Sequence, residues 1–268
     1  MNIKQLAGTI FQQQSFLCVG LDTDPDKLPV GFKNTPEDII RFNKGMIDAT
    51  LKHAVAYKIN TAFYEAMGIK GWQIMEETLA YIPHTHFSIA DAKRGDIGNT
   101  AAQYAKTFFE TYPFDAVTVA PYMGKDSIQP FLDYKDKTTI VLGLTSNKGS
   151  EDFERLQLSG GGQLYEQVLT TVSSWGSPDN LMFVVGATQA ADLQSIRKIV
   201  PEHFLLVPGV GAQGGTVQEV AAAGWAPNCG LLVNVSRGVI YASRESNFQE
   251  AAGLAAQAYQ QQMAAAFK

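Results

Sequence analysis

The stretch Ser88-Ile-Ala-Asp-Ala-Lys-Arg-Gly-Asp-Ile-Gly-Asn-Thr-Ala101 places four charged residues in the six positions from Asp91 to Asp96, directly after an apolar run. If the strand geometry persists, Asp91 and Lys93, two apart at a strand end, point to the same side. A lysine held between carboxylates keeps its proton, so Asp91-x-Lys93-x-x-Asp96 suits an acid acting on a developing carbanion better than a free amine nucleophile. A second acid and a second base follow the same placement. Asp22 closes the apolar run 16–21, and Lys58 lies within Tyr57-Lys-Ile-Asn60. Charges are tolerated in a partly dry site when they alternate in sign and hydrogen-bond, which an Asp-Lys-Asp-Lys arrangement permits. Taken in isolation, the motif equally describes a solvated, charge-rich turn ahead of the next helix.

The surrounding elements favour the site. Short apolar runs rich in β-branched residues predict eight strands, over 16–21, 55–59, 86–90, 116–120, 139–144, 181–185, 204–207 and 230–235. Helical periodicity between them predicts helices over 36–53, 62–82, 97–111, 126–134, 163–175, 189–200, 213–223 and 248–267. Thr35-Pro-Glu-Asp38 is a typical helix start, with a cap residue, a first-turn proline and early acids. Strict alternation implies parallel strands with right-handed crossovers, and eight units are the number that closes a (β/α)8 barrel. The expected fold is therefore a single barrel domain over 1–268, with the doubly wound open sheet as the alternative, because the pattern does not fix closure. In a barrel the strand ends carrying Asp22, Lys58, Asp91 and Lys93 meet at one mouth. The glycine-rich segment 147–162, holding Gly149, Gly160, Gly161 and Gly162, is expected to be a loop after strand five on that side, and so an active-site loop.

Pro208-Gly-Val-Gly-Ala-Gln-Gly-Gly215 contains G-x-G-x-x-G between a strand and a helix. A dinucleotide fingerprint opens the first unit of its fold and is followed after about 20 residues by an acid; here it stands in the seventh unit, and position 234 is Asn. Loops after strands seven and eight of a barrel commonly hold a phosphate, and Arg237 in Val233-Asn-Val-Ser-Arg-Gly238 would stand beside this one. A monophosphate is the simpler ligand; a tight turn without ligand would account for the glycines alone, less well for Gln213 and Arg237 together.

Bulk properties exclude several classes. A net charge of -5, with Lys and Arg scattered, gives no basic stripe for nucleic acid. The two cysteines, Cys18 and Cys229, lie within apolar runs and suggest reduced core residues, without a disulfide or zinc site. His53, His84, His86 and His203 lack metal-ligand spacing, so no metal is expected. Lys70, Trp72, Trp175 and Trp225 read as packing or surface residues. With no apolar window of membrane-spanning length and no leader pattern, the expected location is cytoplasmic, without membrane partners.

Asp91-Ala-Lys-Arg-Gly-Asp-Ile-Gly-Asn-Thr100, Tyr57-Lys-Ile-Asn60, Pro208-Gly-Val-Gly-Ala-Gln-Gly214 and Ser236-Arg-Gly238 together make the chain resemble the orotidine 5′-phosphate decarboxylase family, in its longer bacterial branch (type 2), over nearly the whole length. The resemblance implies a homodimer of barrels that converts orotidine 5′-phosphate to UMP and carbon dioxide without a cofactor, the last step of de novo UMP synthesis. It implies Lys93 as proton donor to C6, with Lys58, Asp91 and Asp96 completing the charged network. Asp96, Ile97 and Thr100 would reach across the dimer. Asp22 would contact the ribose, Ser146 the pyrimidine, and Gln213 and Arg237 the phosphate, with Pro208 opening the phosphate loop. Two rival expectations are a metal-dependent sugar-phosphate decarboxylase or aldolase on a related barrel, which shares D-x-K-x-x-D, and a non-catalytic nucleotide sensor.

Overall fold

All eight apolar runs form strands in a computed structural model, which describes residues 1–186, 190–210 and 215–267. They are β1 (Leu17–Gly20), β2 (Ala56–Asn60), β3 (Phe87–Arg94), β4 (Ala116–Val119), β5 (Thr138–Leu144), β6 (Leu181–Val185), β7 (Phe204–Pro208) and β8 (Leu231–Val235). Every neighbouring pair is parallel, and β1 pairs with both β2 and β8, so the sheet closes into a barrel and the open-sheet alternative falls away. Closure explains the composition of the runs. A strand covered by helices outside and side chains inside has no wet face, so β1, β4, β6 and β8 are buried at every position.

Lateral neighbours in a parallel sheet share a face, and the register therefore gathers residues from separate strands. Gly20 aligns with Lys58, Asn60 with Asp91, Thr118 with Ile140, and Cys18 with Asn234. These residues lie along the inner wall, which turns polar toward the strand ends.

Among the described residues the helices depart from expectation in several places, a short helix Arg237–Ile240 after β8 included, and the expected helices over 189–200 and 213–223 begin outside the described residues. A first helix, Ile3–Gln13, precedes β1. Its Asn2 and Gln5 form a reciprocal capping box, and Ile3, Leu6 and Ile10 are its buried stripe, spaced for one helical face. The expected helix over 62–82 is two, Thr61–Glu65 and Ile69–Tyr81, because Gly68 takes φ 64 between them, a conformation in which a side chain is strained. The helix expected over 97–111 is Gly98–Lys106, followed by a π turn at Thr107–Thr111. The segment 147–162 holds a short helical turn, Lys148–Asp152, and folds back through a bridge between Gln157 and Gln163.

At the strand-start end, Arg197 acts as a clamp. Its guanidinium donates to the carbonyls of Val200, His203, Gly224 and Gly230 at 2.7 to 2.9 Å. These carbonyls flank β7 and β8, so one planar fork joins the last units of the barrel without a carboxylate partner among the described residues.

Candidate active site

The strand ends bring four charges into one hydrogen-bonded line. Lys58 Nζ on β2 donates to Asp91 Oδ2 at 2.9 Å and to Asp22 Oδ1 at 3.4 Å. Lys93 Nζ donates to the other Asp91 oxygen at 2.5 Å. Lys58 is almost wholly buried, whereas the Lys93 side chain is 49% exposed, so Lys93 is the ammonium that faces the mouth. Burial works against the charge of Lys58, but Asp22 and Asp91 outweigh it and raise its pKa. Burial likewise works against the Asp91 carboxylate; Lys58 and Lys93 reverse that and hold it well below the usual carboxylate range. Lys58 and Asp91 are thus each held in the charged form by the other, as alternation of sign requires.

The strand geometry assumed for Asp91 and Lys93 does not persist. Ala90 pairs with Val117 and Arg94 with Val119, so four steps on β3 oppose two on β4, and Lys93 takes φ 47 within the resulting bulge. The two side chains still meet, through the bend rather than through the strand period.

Asp22 joins this line to a cavity of about 600 Å³ that is also lined by Gly209, Asn234, Ser236, Arg237 and Gly238. Its second oxygen accepts from Ser236 Oγ at 2.7 Å, and Asn234 Nδ2 donates to Ser236 at 3.3 Å. Gly20 makes this contact possible, since a Cβ there would lie 1.9 Å from Ser236 Oγ. Arg237 is exposed and makes no ion pair among the described residues. Pro208 ends β7, Gly209 follows at φ 87, and Gln213 lies outside the described residues. A larger groove of about 1080 Å³ lies between the helices Pro36–Thr50 and Ile69–Tyr81. It carries scattered Arg41, Lys44, Asp48 and Glu77 but no convergent network, so chemistry rather than volume marks the site.

Asp96, Ile97 and Thr100 stand apart from the line. Asp96 accepts from the Ile97 amide at 2.8 Å and makes no ion pair among the described residues, while Ile97 and Thr100 are exposed. Ser146 follows β5, half-buried. Its neighbour Thr145 is committed to the loop: its amide and hydroxyl donate to Glu154 at 2.6 and 2.8 Å. Arg155 then ties the segment to the next unit through Asp192 at 2.6 Å.

Two polar residues were not singled out from the sequence. Ser236 holds Asp22, and Thr118 on β4 donates to Asp91 Oδ1 at 3.0 Å while accepting the Lys93 amide at 2.9 Å. Only the Ser-Arg-Gly context offered a signal for the first; Thr118 resembles any strand threonine. Among the described residues no three His, Cys, Asp or Glu side chains converge as metal ligands, and Glu65, just beyond β2, pairs with Arg94. No helix is long and apolar enough to cross a membrane among the described residues.

Comparison with known proteins covers nearly the whole chain. The model of the orotidine 5′-phosphate decarboxylase / HUMPS family matches residues 15–252. An orotidine 5′-phosphate decarboxylase of Christiangramia forsetii is 54% identical over 267 residues, covering 98% of each chain. One from Bacteroides fragilis is 53% identical over 271 residues, covering 100% of this chain and 99% of the relative. Among solved structures, the Leishmania donovani OMP decarboxylase superposes with a TM-score of 0.84 at 35% identity, covering 100% of this chain and 99% of the other. A Toxoplasma gondii protein described as a putative orotidine-monophosphate-decarboxylase gives 0.88 at 35% identity, covering 99% and 95%. With its barrel matched almost from end to end and half of its residues shared with full-length relatives, this chain belongs to the orotidine 5′-phosphate decarboxylase family.

Proposed function

We propose that the protein decarboxylates orotidine 5′-phosphate to UMP and carbon dioxide, the last step of de novo UMP synthesis, with no cofactor. The observation that carries this reading is the hydrogen-bonded line Asp22, Lys58, Asp91, Lys93, in which the exposed Lys93 amine stands at the barrel mouth. Losing carbon dioxide from C6 leaves a carbanion that no neighbouring carbonyl fully delocalises, so fixed charge must stabilise it. The Lys93 ammonium stabilises that charge and then transfers its proton to C6. Asp91 and Lys58 keep the ammonium in place, and the Asp91 charge disfavours a carboxylate bound beside it.

The remaining assignments follow the family motifs. Asp22 binds the ribose, Ser146 the pyrimidine, and Pro208, Gln213 and Arg237 form the phosphate end. The guanidinium of Arg237, exposed on the cavity wall and without an ion pair among the described residues, supports the phosphate assignment. Phosphate contacts far from C6 supply binding energy for closing the mouth, and the 147–162 segment is the active-site loop that closes. The chain acts as one domain, in the cytoplasm, as a homodimer in which Asp96, Ile97 and Thr100 enter the partner's site. Two features support the dimer: Asp96 is outside its own chain's network, and Ile97, Tyr122 and Met123 are exposed apolar residues on the neighbouring β3 and β4 loops.

Protein stripped of metal and kept in EDTA is expected to convert orotidine 5′-phosphate to UMP at the rate of untreated protein, followed by the loss of substrate ultraviolet absorbance. Activity that disappears in EDTA and returns with a divalent ion would move the assignment to a metal-dependent relative. Binding of UMP without turnover would move it to a nucleotide sensor.

A further inference from the structure

The end of β3 contains a backbone feature that the charges alone do not explain. Lys93 takes φ 47, in the left-handed region that residues with a Cβ avoid at a cost of roughly 1 kcal/mol or more. It lies in the bulge between Ala90 and Arg94, where a residue loses its regular partner in the sheet. Its amide is nevertheless satisfied, by a side chain: Thr118 Oγ1 accepts it at 2.9 Å. The same hydroxyl donates its own hydrogen to Asp91 Oδ1 at 3.0 Å. One hydroxyl can do both, having one donor and two acceptor sites. Thr118 is fully buried on the inner wall of β4, aligned with Ile140.

The oxygen that Thr118 holds is the one that receives Lys93 Nζ. Thr118 therefore constrains Lys93 at both ends, its backbone directly and its ammonium through the carboxylate. We infer that Thr118 is a positioning residue for the reaction, setting where the Lys93 ammonium stands without itself touching substrate. This rests on the reading of Lys93 as the proton donor. A carboxylate with Lys58 alone on its other oxygen could turn about that contact; the Thr118 bond fixes the plane. A buried hydroxyl with both roles filled is also costly to remove, because the Lys93 amide and an Asp91 lone pair lose their partner together.

The test compares Thr118→Val, which keeps shape and removes the hydroxyl, with Thr118→Ser, which keeps the hydroxyl and removes a methyl group. Three readouts are taken: kcat, KM for orotidine 5′-phosphate, and hydrogen exchange of the Lys93 amide. Thr118→Val is expected to lower kcat about 100-fold, the cost of a misplaced catalytic group, with KM little changed because ribose and phosphate contacts lie elsewhere. Its Lys93 amide should exchange faster while the β2 amides keep their protection. Thr118→Ser should restore both kcat and protection. If Thr118→Val does not fold, Thr118→Cys, whose thiol donates weakly, is expected to show the same pattern in smaller measure. Wild-type kcat in folded Thr118→Val or Thr118→Cys would overturn the positioning role. So would a serine variant as impaired as the valine one, since the methyl group would then be what matters. A wild-type protein without turnover would overturn the decarboxylase reading instead, and the exchange rates would still decide whether Thr118 holds the Lys93 backbone.

Discussion

Lys93→Ala is expected to lower orotidine 5′-phosphate turnover by at least roughly 10⁴-fold, the upper range for a lost acid, while UMP still binds measurably. The size of the effect follows from the absence of a substitute. Lys58 is the only other ammonium in the line; it is almost wholly buried and donates to Asp22 and Asp91. It cannot advance without leaving two carboxylates unpaired, which costs several kcal/mol. Water could deliver a proton to C6 but could not supply the fixed positive charge during carbon dioxide loss. Binding should survive because Asp22, Ser236 and Arg237 remain on the cavity wall and Asp91 keeps Lys58. Absorbance assays for turnover and calorimetry with UMP separate the two quantities. Residual activity within tenfold of wild type would remove Lys93 from the proton-donor role.

Mixing inactive Lys93→Ala protein with inactive Asp96→Ala protein is expected to restore activity to about a quarter of the wild-type level after full subunit exchange. Random exchange of equal amounts makes half of the dimers mixed. Each mixed dimer then has one site with both substitutions and one with neither, provided Lys93 and Asp96 of a site come from different chains. The structure motivates this by where Asp96 stands. It lies three residues from Lys93 in sequence, yet its carboxylate is paired with neither lysine of its own chain among the described residues and instead holds the Ile97 amide. The exposed Ile97, Tyr122 and Met123 beside it need cover. Native mass spectrometry can establish that exchange has occurred; mixed dimers without recovered activity would show that each site is complete within one chain.

Much of the fold was legible because a barrel strand has no wet face. Runs such as Leu181-Met-Phe-Val-Val185 stand out, and eight of them alternating with helical periodicity leave few architectures. Lys58, Asp91 and Lys93 were legible for the opposite reason, as charges placed where such runs end. Legibility failed where tertiary geometry leaves no local mark. The first helix was hidden because Gln5 and Gln12 to Gln14 dilute an apolar stripe of only Ile3, Leu6 and Ile10. The break at Gly68 falls inside continuous helical periodicity. The bulge at Lys93 is occupied by a residue that sequence reading never expects at positive φ, and its support, Thr118, is a β-branched residue in a strand like many others. Spacing alone could not say whether Asp96 joins Asp91 and Lys93 within its own chain; its carboxylate accepts from the Ile97 amide instead, and its assignment to the partner's site came only from the family resemblance.

The barrel is held at each end by a cation, but the two cations answer differently to acid. At the mouth the partners are carboxylates. The depressed Asp91 value means that its pairing stabilises the fold fully above the ordinary carboxylate pKa of about 3.9 and is lost as pH falls through that lower value. At the far end Arg197 holds four carbonyls, which take up no proton over that range. Falling pH nonetheless reaches the far end first: burial and the neighbouring Arg197 lower the His203 pKa to about 4, so keeping its ring neutral costs stability progressively as pH falls from the ordinary imidazole value of about 6.5 toward that value, whereas the pairing at the mouth is lost only at lower pH.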